Sequence, residues 1–505
     1  MFSFIVKICY IENKMVLIVL VLFSLAHCSK VMDRTSELLS TSTSRDYGSK
    51  HTCKRPSVKA MVNLWETYPN QCLVSNKHSY ISIKSDRFLF ERGTEIRLEF
   101  VRIWNYYLKQ NQLTDSWIPS SGTGINDKGA TQEMFFNNID STYLMGEKDQ
   151  LNTTFAILEN ELLNIKGNFS TYDFITKHIG SLLSAYYLTN NPLLKQKAIH
   201  YGEWIFKFYK DWVPYTTYNF ETNKGEYGKI EIKQLVNVAE LFVLSKLSQD
   251  ERYDKLIEKI VNHLKEITHF QVLPQHAYLE DGNKLKYAGW LTSNSESADV
   301  QRVLWNNWKL SNKKDEVFLT LLNINKNAIL TLLPFSSKDG NVVMIERTPK
   351  AVEYKMDLKM CAWTGMLAEE NKNVMNSSEI TLAVKLMKSC LRVFTDLTPS
   401  NFLHLNADKV ETKDDVFSLP GEIAESLFFL YRATGEHWIR KAGLHMFRVI
   451  KKNYGKEFGF VFSGSEVMPS DFLSKTLKYL FLLQASPTLF LGAYFSTAGH
   501  LLAIK

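Results

Sequence analysis

Along most of this chain, apolar residues return every three or four positions, the spacing of one helix face. Phe100, Ile103, Trp104 and Tyr107 share such a face, as do Ile175, Ile179, Leu182 and Tyr186. Leu235, Val238, Leu241 and Phe242 repeat the pattern, and Leu473, Leu477, Leu480 and Phe481 close it. Segments of this kind predict helices at 95–110, 129–145, 150–166, 172–190, 193–210, 230–247, 251–268, 297–310, 314–333, 357–369, 378–395, 420–434, 436–453 and 469–484. Fourteen helices make seven consecutive hairpins, and no linker interrupts them. Helix pairs strung together in this way argue for an all-α fold, one toroid or solenoid. The strict repetition of an ordinary TPR or HEAT array is absent. Only Tyr80 to Phe90 alternates weakly, as a short strand would.

The N-terminus follows another rule. Lys14 precedes an apolar run from Val16 to Phe23, and the Ala26-x-Cys28 pattern suits cleavage before Ser29. The mostly apolar stretch is shorter than the ~20 residues that span a bilayer. The expected organisation is a signal peptide at 1–28, a polar Ser/Thr-rich lead-in at 29–90 and one helical domain at 91–505. No later stretch is long and apolar enough to span a membrane, so no stable span is expected after cleavage. Cys9 and Cys28 leave with the signal, while Cys53, Cys72, Cys361 and Cys390 remain. An even number in a secretory chain suggests two disulfides. Spacing favours Cys53–Cys72 and Cys361–Cys390 among three possible connectivities. Sequons at Asn152, Asn168 and Asn376 are compatible with secretion.

Composition narrows the class further. The 505 residues are 45% hydrophobic and 22% charged, which excludes wholesale disorder. With 23 Gly and 12 Pro, a turn-dense β protein or a collagen-like chain is excluded. The net charge of +7 carries no long block of one sign, so nucleic-acid binding gains no support. Among the acids, Asp173, Glu422, Glu425 and Asp357 all fall near predicted helix starts. An acid there complements the helix dipole without any catalytic role.

The words around those acids change their reading. Asp140-Ser-Thr-Tyr-Leu-Met-Gly146, Tyr172-Asp-Phe-Ile-Thr-Lys-His-Ile-Gly-Ser-Leu-Leu-Ser-Ala-Tyr186, Met356-Asp-Leu-Lys-Met-Cys361, Gly421-Glu-Ile-Ala-Glu-Ser-Leu-Phe-Phe-Leu-Tyr-Arg-Ala-Thr-Gly435, Thr476-Leu-Lys-Tyr-Leu-Phe-Leu-Leu483 and Phe495-Ser-Thr-Ala-Gly-His500 occur in this order. Together they resemble glycoside hydrolase family 47, the class I α-mannosidases and their ER-degradation relatives. The resemblance covers roughly residues 95–505 and implies a single (α/α)7 barrel. It also implies a disulfide between Cys361 and Cys390.

The resemblance implies removal of α-1,2-linked mannose from high-mannose N-glycans with inversion, in the secretory pathway and above all the ER lumen, with secretion as a further destination. Inversion needs an acid and a base ~6.5–9.5 Å apart, with a water between. Asp173 falls on the general acid, one methylene shorter than the family's glutamate, and Glu422 on the base. The third catalytic carboxylate falls on Ala298 without a gap, or on Asp299 after a one-residue shift. Asp357, Glu425 and Lys177 fall on substrate-binding positions. Thr497 falls on a threonine that binds Ca²⁺, the implied cofactor.

Departures cluster in the same words. Family glutamates are replaced by Lys233, Lys475 and Ala498, and the family's R-P-E word at the base reads Pro420-Gly421-Glu422, without the arginine and its charge. An ammonium in place of an acceptor reverses local charge. Two main expectations follow: an active Ca²⁺-dependent α-1,2-mannosidase, or a protein of the same fold that binds high-mannose glycans or misfolded glycoproteins without cleaving them. A third is another (α/α)-barrel carbohydrate enzyme whose lysines meet anionic sugars.

Overall fold

The structure, a computed structural model, describes residues 87–503 apart from 111–112, 161–162, 281–283, 292–295, 333, 339, 348–351, 375, 395–400, 407–408, 413–416, 419–420, 486–489 and 491–492. The expected signal peptide, nearly all of the lead-in and the Cys53–Cys72 pair lie outside the described residues. All described residues belong to one compact unit, Val62–Lys505.

Fourteen longer helices run in order among the described residues: α1 (Arg87–Lys109), α2 (Ile139–Met145), α3 (Lys148–Asn160), α4 (171–189), α5 (Pro192–Gly202), α6 (Ala239–Ser248), α7 (Glu251–Leu264), α8 (Glu296–Leu310), α9 (Glu316–Leu332), α10 (Ala362–Asn371), α11 (Ser378–Cys390), α12 (Gly421–Thr434), α13 (His437–Tyr454) and α14 (472–483). They alternate between two layers. The even-numbered helices pack each on the next, and α14 packs back on α2, closing an inner ring of seven. Each odd-numbered helix from α3 to α13 packs outside the inner helix before it, and α1 packs on α14. This is the expected (α/α)7 barrel.

Local chemistry accounts for many helix starts. The Ser170 hydroxyl accepts from Asp173 N, Asn191 Oδ1 from Leu193 N ahead of Pro192, Asp250 from Arg252 N, and Ser377 from Ile380 N. Layer position decides the burial pattern. The outer helix α7 buries Tyr253, Leu256, Ile257, Ile260 and Leu264, a single stripe. The inner helix α12 buries every residue from Ile423 to Tyr431.

Several boundaries differ from the sequence reading. The first described helix is Arg87–Lys109, so the described part of the expected strand at Tyr80–Phe90 is helical. The helix expected at 129–145 breaks at Asn137–Asn138, and that at 230–247 breaks at Asn237–Val238. Asn137 and Asn237 both send side-chain hydrogen bonds to partners outside the helical ladder. Nine small antiparallel sheets of two or three strands occupy the loops of the described residues.

One hairpin enters the ring. Tyr494–Phe495 pairs with Leu501–Leu502, and the second strand packs on α4 and α6. Phe495 is buried against Phe428, Phe429 and Tyr479 of α12 and α14. Asn306 Nδ2 donates to Phe495 O, and Leu501 N donates to Ser184 Oγ. Gly499 turns the hairpin at φ +81°, a conformation that glycine adopts without a steric cost. No helix among the described residues is long and apolar enough to cross a membrane.

Candidate active site

The inner helices surround a cavity of about 320 Å³. Asp173 and Lys177 reach it from α4, Asp299 from α8, Glu422 from α12, Lys475 from α14, and Thr497 from the hairpin turn. Asp299 lines the cavity, whereas Ala298 is buried beside it and absent from the lining. Asp173 and Glu422 do lie in first helical turns, as a helix-start acid would, yet their carboxyls also face the cavity. In α4 and α14 the cavity-facing stretch is a π-helical segment, Phe174–Ile179 and Phe472–Leu477. Such widened turns are frequent at functional sites.

Charge pairing dominates the walls. Four carboxylates, Asp173, Asp299, Glu422 and Asp471, meet four lysines, Lys177, Lys233, Lys359 and Lys475. Lys177 Nζ is 3.5 Å from Asp173 Oδ1, 3.4 Å from Asp471 Oδ2 and 3.1 Å from Glu133 Oε1. Lys233 Nζ is 3.5 Å from Asp299 Oδ2 and 3.1 Å from Glu231 Oε2. Lys475 Nζ is 3.1 Å from Glu422 Oε1 and 3.0 Å from Glu425 Oε2.

These pairs set the protonation states. Burial raises the Glu422 carboxyl, but Lys475 outweighs it and the net pKa is lowered. Burial also opposes the charge of Lys475, yet Glu422 and Glu425 hold it well above the usual lysine value. For Lys177, Asp471 and Asp173 outweigh burial in the same direction. Lys233 is raised by Asp299 against its burial. Asp471 falls to about 2, burial being overcome by Lys177 and Lys128.

Thr497 Oγ1 lies 2.9 Å from the Tyr172 hydroxyl, and Lys233 Nζ sits 5.6 Å from the centroid of the same tyrosine ring. The residues around Thr497 do not fit the implied calcium ion. Ca²⁺ takes about 6–8 oxygen ligands, carboxylates prominent among them. Here the threonine has Ala498 as its neighbour, and every carboxylate of the cavity has a lysine within ion-pair distance. Among the described residues no group of three or more His, Cys, Asp or Glu side chains is placed to hold a metal.

Two expected substrate contacts lie elsewhere. Asp357 does not line the cavity: its Oδ1 accepts from Lys359 N at 2.8 Å and caps the turn Leu358–Cys361, leaving Lys359 as the lining residue. That is the helix-start role the pattern alone suggested. Glu425 is buried beneath the wall, between Lys475 and Arg302 Nη2 at 2.9 Å. Arg302 in turn pairs with Glu369. Cys361 and Cys390 form a disulfide. Sequence reasoning missed Tyr172, Asp471 and Glu133. Asp471 follows Pro469-Ser470 immediately ahead of α14, a helix-start signal that marks it in retrospect.

A second ionic cluster adjoins the cavity wall. Asp140 of α2 accepts from Lys478 Nζ at 2.9 and 3.1 Å and from Ser184 Oγ at 2.7 Å. His500 Nδ1 is 2.9 Å from Asp140 Oδ2, and Nε2 is 2.8 Å from Asn137 Oδ1. Asn137 Nδ2 also donates to Asp471 Oδ1 at 2.8 Å, joining the cluster to the cavity wall. His500 thus anchors the hairpin that carries Thr497.

Comparison with known proteins agrees with this architecture. The family model described as glycosyl hydrolase family 47 matches residues 99–504. The chain is 23% identical over 443 residues to mannosyl-oligosaccharide 1,2-alpha-mannosidase MNS1 of Arabidopsis thaliana, covering 82% of this chain and 79% of the relative. It is 25% identical over 390 residues to human mannosyl-oligosaccharide 1,2-alpha-mannosidase IC, covering 70% of this chain and 60% of that relative's length. The solved α-1,2-mannosidase from Trichoderma reesei superposes with a TM-score of 0.69 at 14% identity, over 82% of this chain and 99% of that structure. At that identity the likeness shows the fold.

Proposed function

The chain belongs to glycosyl hydrolase family 47, and we propose that its cavity receives a terminal mannose of a high-mannose N-glycan and hydrolyses an α-1,2 linkage with inversion. The observation that carries this reading is the meeting of Asp173, Asp299 and Glu422, from three inner helices, around one cavity. Inverting hydrolysis needs one carboxyl to protonate the leaving oxygen and another to activate water. We assign these roles to Asp173 and Glu422, with Asp299 as the third carboxylate. The lowered pKa of Glu422 keeps it ionised, the form a general base requires. The names of the plant and human relatives support the substrate class.

With this assignment we propose that the protein works in the lumen of the secretory pathway, with the ER as its station. The Cys361–Cys390 disulfide favours an oxidising compartment. The asparagines of all three sequons are exposed, as glycan acceptors must be. The domain reading of a cleaved leader, a polar lead-in and a single barrel is part of this proposal.

The decisive experiment incubates the purified protein with a high-mannose N-glycan, follows mannose release by mass spectrometry and reads the anomer of the first product by NMR. β-Mannose is expected, and Glu422→Gln is expected to lower kcat by at least about a hundredfold. No release under any condition sinks the hydrolytic reading. A second reading, binding without cleavage, is favoured by the pairing of each of these carboxylates with a lysine. Calorimetry that detects binding of an intact glycan, with no turnover, selects it.

A further inference from the structure

Lys475 is buried, lies between Glu422 and Glu425, and keeps its aliphatic chain against Gly421 and Gly499. A Cβ at Gly421 would stand 3.3 Å from Lys475 Cγ and Cδ, and one at Gly499 would stand 3.5 Å from Cγ. Gly421 therefore leaves room for this side chain, while Gly499 only packs against it. Lys233 lies over the ring of Tyr172, the residue whose hydroxyl is hydrogen-bonded to Thr497. Two fixed positive charges thus share the cavity wall with Thr497.

We propose that Lys475, assisted by Lys233, is the resident cation of this cavity, so that sugar recognition here proceeds without a divalent metal. A carboxylate cluster holds a divalent cation because its negative charge is otherwise uncompensated. In this cavity that charge is neutralised from within the chain, and an arriving Ca²⁺ would meet ammonium groups at short range. An ammonium has three N–H donors and no acceptor. Lys475 directs two toward Glu422 and Glu425, which leaves one for a sugar hydroxyl in the cavity it lines. Glycine at 421 fits the same account, because a larger residue at that point would crowd the lysine stem.

The inference rests on the sugar-binding reading of the cavity, and the test keeps the two apart. The full chain is freed of metal with EDTA. Thermal unfolding is then measured with and without millimolar CaCl₂, and binding of α-1,2-mannobiose is measured by calorimetry in both conditions. The expected results are an unchanged Tm on calcium addition and a mannobiose Kd that is the same in EDTA. Lys475→Gln is expected to weaken mannobiose at least about tenfold without creating a calcium response. Lys475→Glu is expected to gain a calcium-dependent rise in Tm, because it restores uncompensated acid beside Thr497. If that variant does not fold, Ala498→Glu takes its place and should show a smaller calcium gain. A wild-type protein that is stabilised by calcium, or that loses mannobiose in EDTA, overturns the proposal. Absence of mannobiose binding in every condition defeats the sugar-binding reading, and the calcium titrations still decide the role of the lysine.

Discussion

Two lysines three residues apart on α14 hold opposite kinds of site. Lys478 pairs with Asp140, and both side chains are only 1% exposed. Lys475 pairs with Glu422 and Glu425 at the wall of an open cavity. The chemistry of the two pairs is the same, but their surroundings are not. Around Asp140 the hydrogen bonds come from α4, α14 and the C-terminal hairpin, so one carboxylate ties three parts of the barrel. At the cavity some charges are shared: Lys177 serves Glu133, Asp173 and Asp471, and Glu425 beneath the wall also meets Arg302. The buried cluster joins three parts of the barrel, whereas the cavity pairs line a space open to solvent. The words that resemble the family carry the joint, and the departures from those words lie in the cavity.

Asp140→Asn is the most direct way to break this contrast. It leaves Lys478 buried without its counter-charge, and should cost about 3–5 kcal/mol in denaturant unfolding. A cost below about 1 kcal/mol would show that the joint is no more demanding than a surface pair.

Glu240 sharpens the comparison because it is buried without any lysine. Burial pushes its pKa to about 7, and Asn237 Nδ2 donates to it at 2.8 Å. A carboxyl raised in the folded state costs nothing below its unfolded value near 4.3, and the cost grows as pH rises toward 7. Glu240→Gln should therefore raise stability at pH 8 by roughly 3 kcal/mol and flatten the pH dependence of Tm between about 4 and 7. An unchanged slope would mean that Glu240 finds a cation after all.

The cavity pairs should give the smallest effects on stability. Lys475→Gln is expected to cost about 2 kcal/mol, less than Asp140→Asn, since Glu425 keeps Arg302 and Glu422 is part-exposed. The pH window follows from the shifts. Glu422 and Asp471 are lowered, so their contribution is present above the unfolded values near 4 and fades as pH falls toward 2. Lys475 and Lys177 are raised, so theirs persists below about 10 and fades only above it. Tm should show no cavity-dependent change between about pH 5 and 9, with the Lys475→Gln difference shrinking outside that range.

Much of the fold was legible because helices announce themselves locally. The fourteen expected segments correspond to the fourteen longer helices, and caps such as Ser170, Asn191 and Ser377 sit where the pattern starts. Boundaries failed where a side chain competes with the ladder, as Asn138 does by donating to Met134 O. Within the site, Asp357 reads as a ligand by its word, and the structure shows it capping the turn Leu358–Cys361 outside the cavity lining. Asp299 was ambiguous because sliding the alignment by one residue exchanges it for Ala298. On a helix that step rotates the side chain by about 100°, and only one of the two faces the cavity.

By itself, the sequence determined the number and order of the helices and the residues that carry charge. Those properties are local: they depend on the 3.6-residue period, on caps and on the free energy of burying apolar side chains. Only the tertiary structure decided which charges meet. Lys475 and Glu422 are 53 positions apart, and Lys478 and Asp140 are 338 apart. Their pairing follows from ring closure, which brings α14 against α12 on one side and α2 on the other. The periodicity of one helix says that Lys475 and Lys478 lie near each other on its surface. It does not say that one faces a cavity and the other a buried aspartate, because that depends on what the neighbouring helices present.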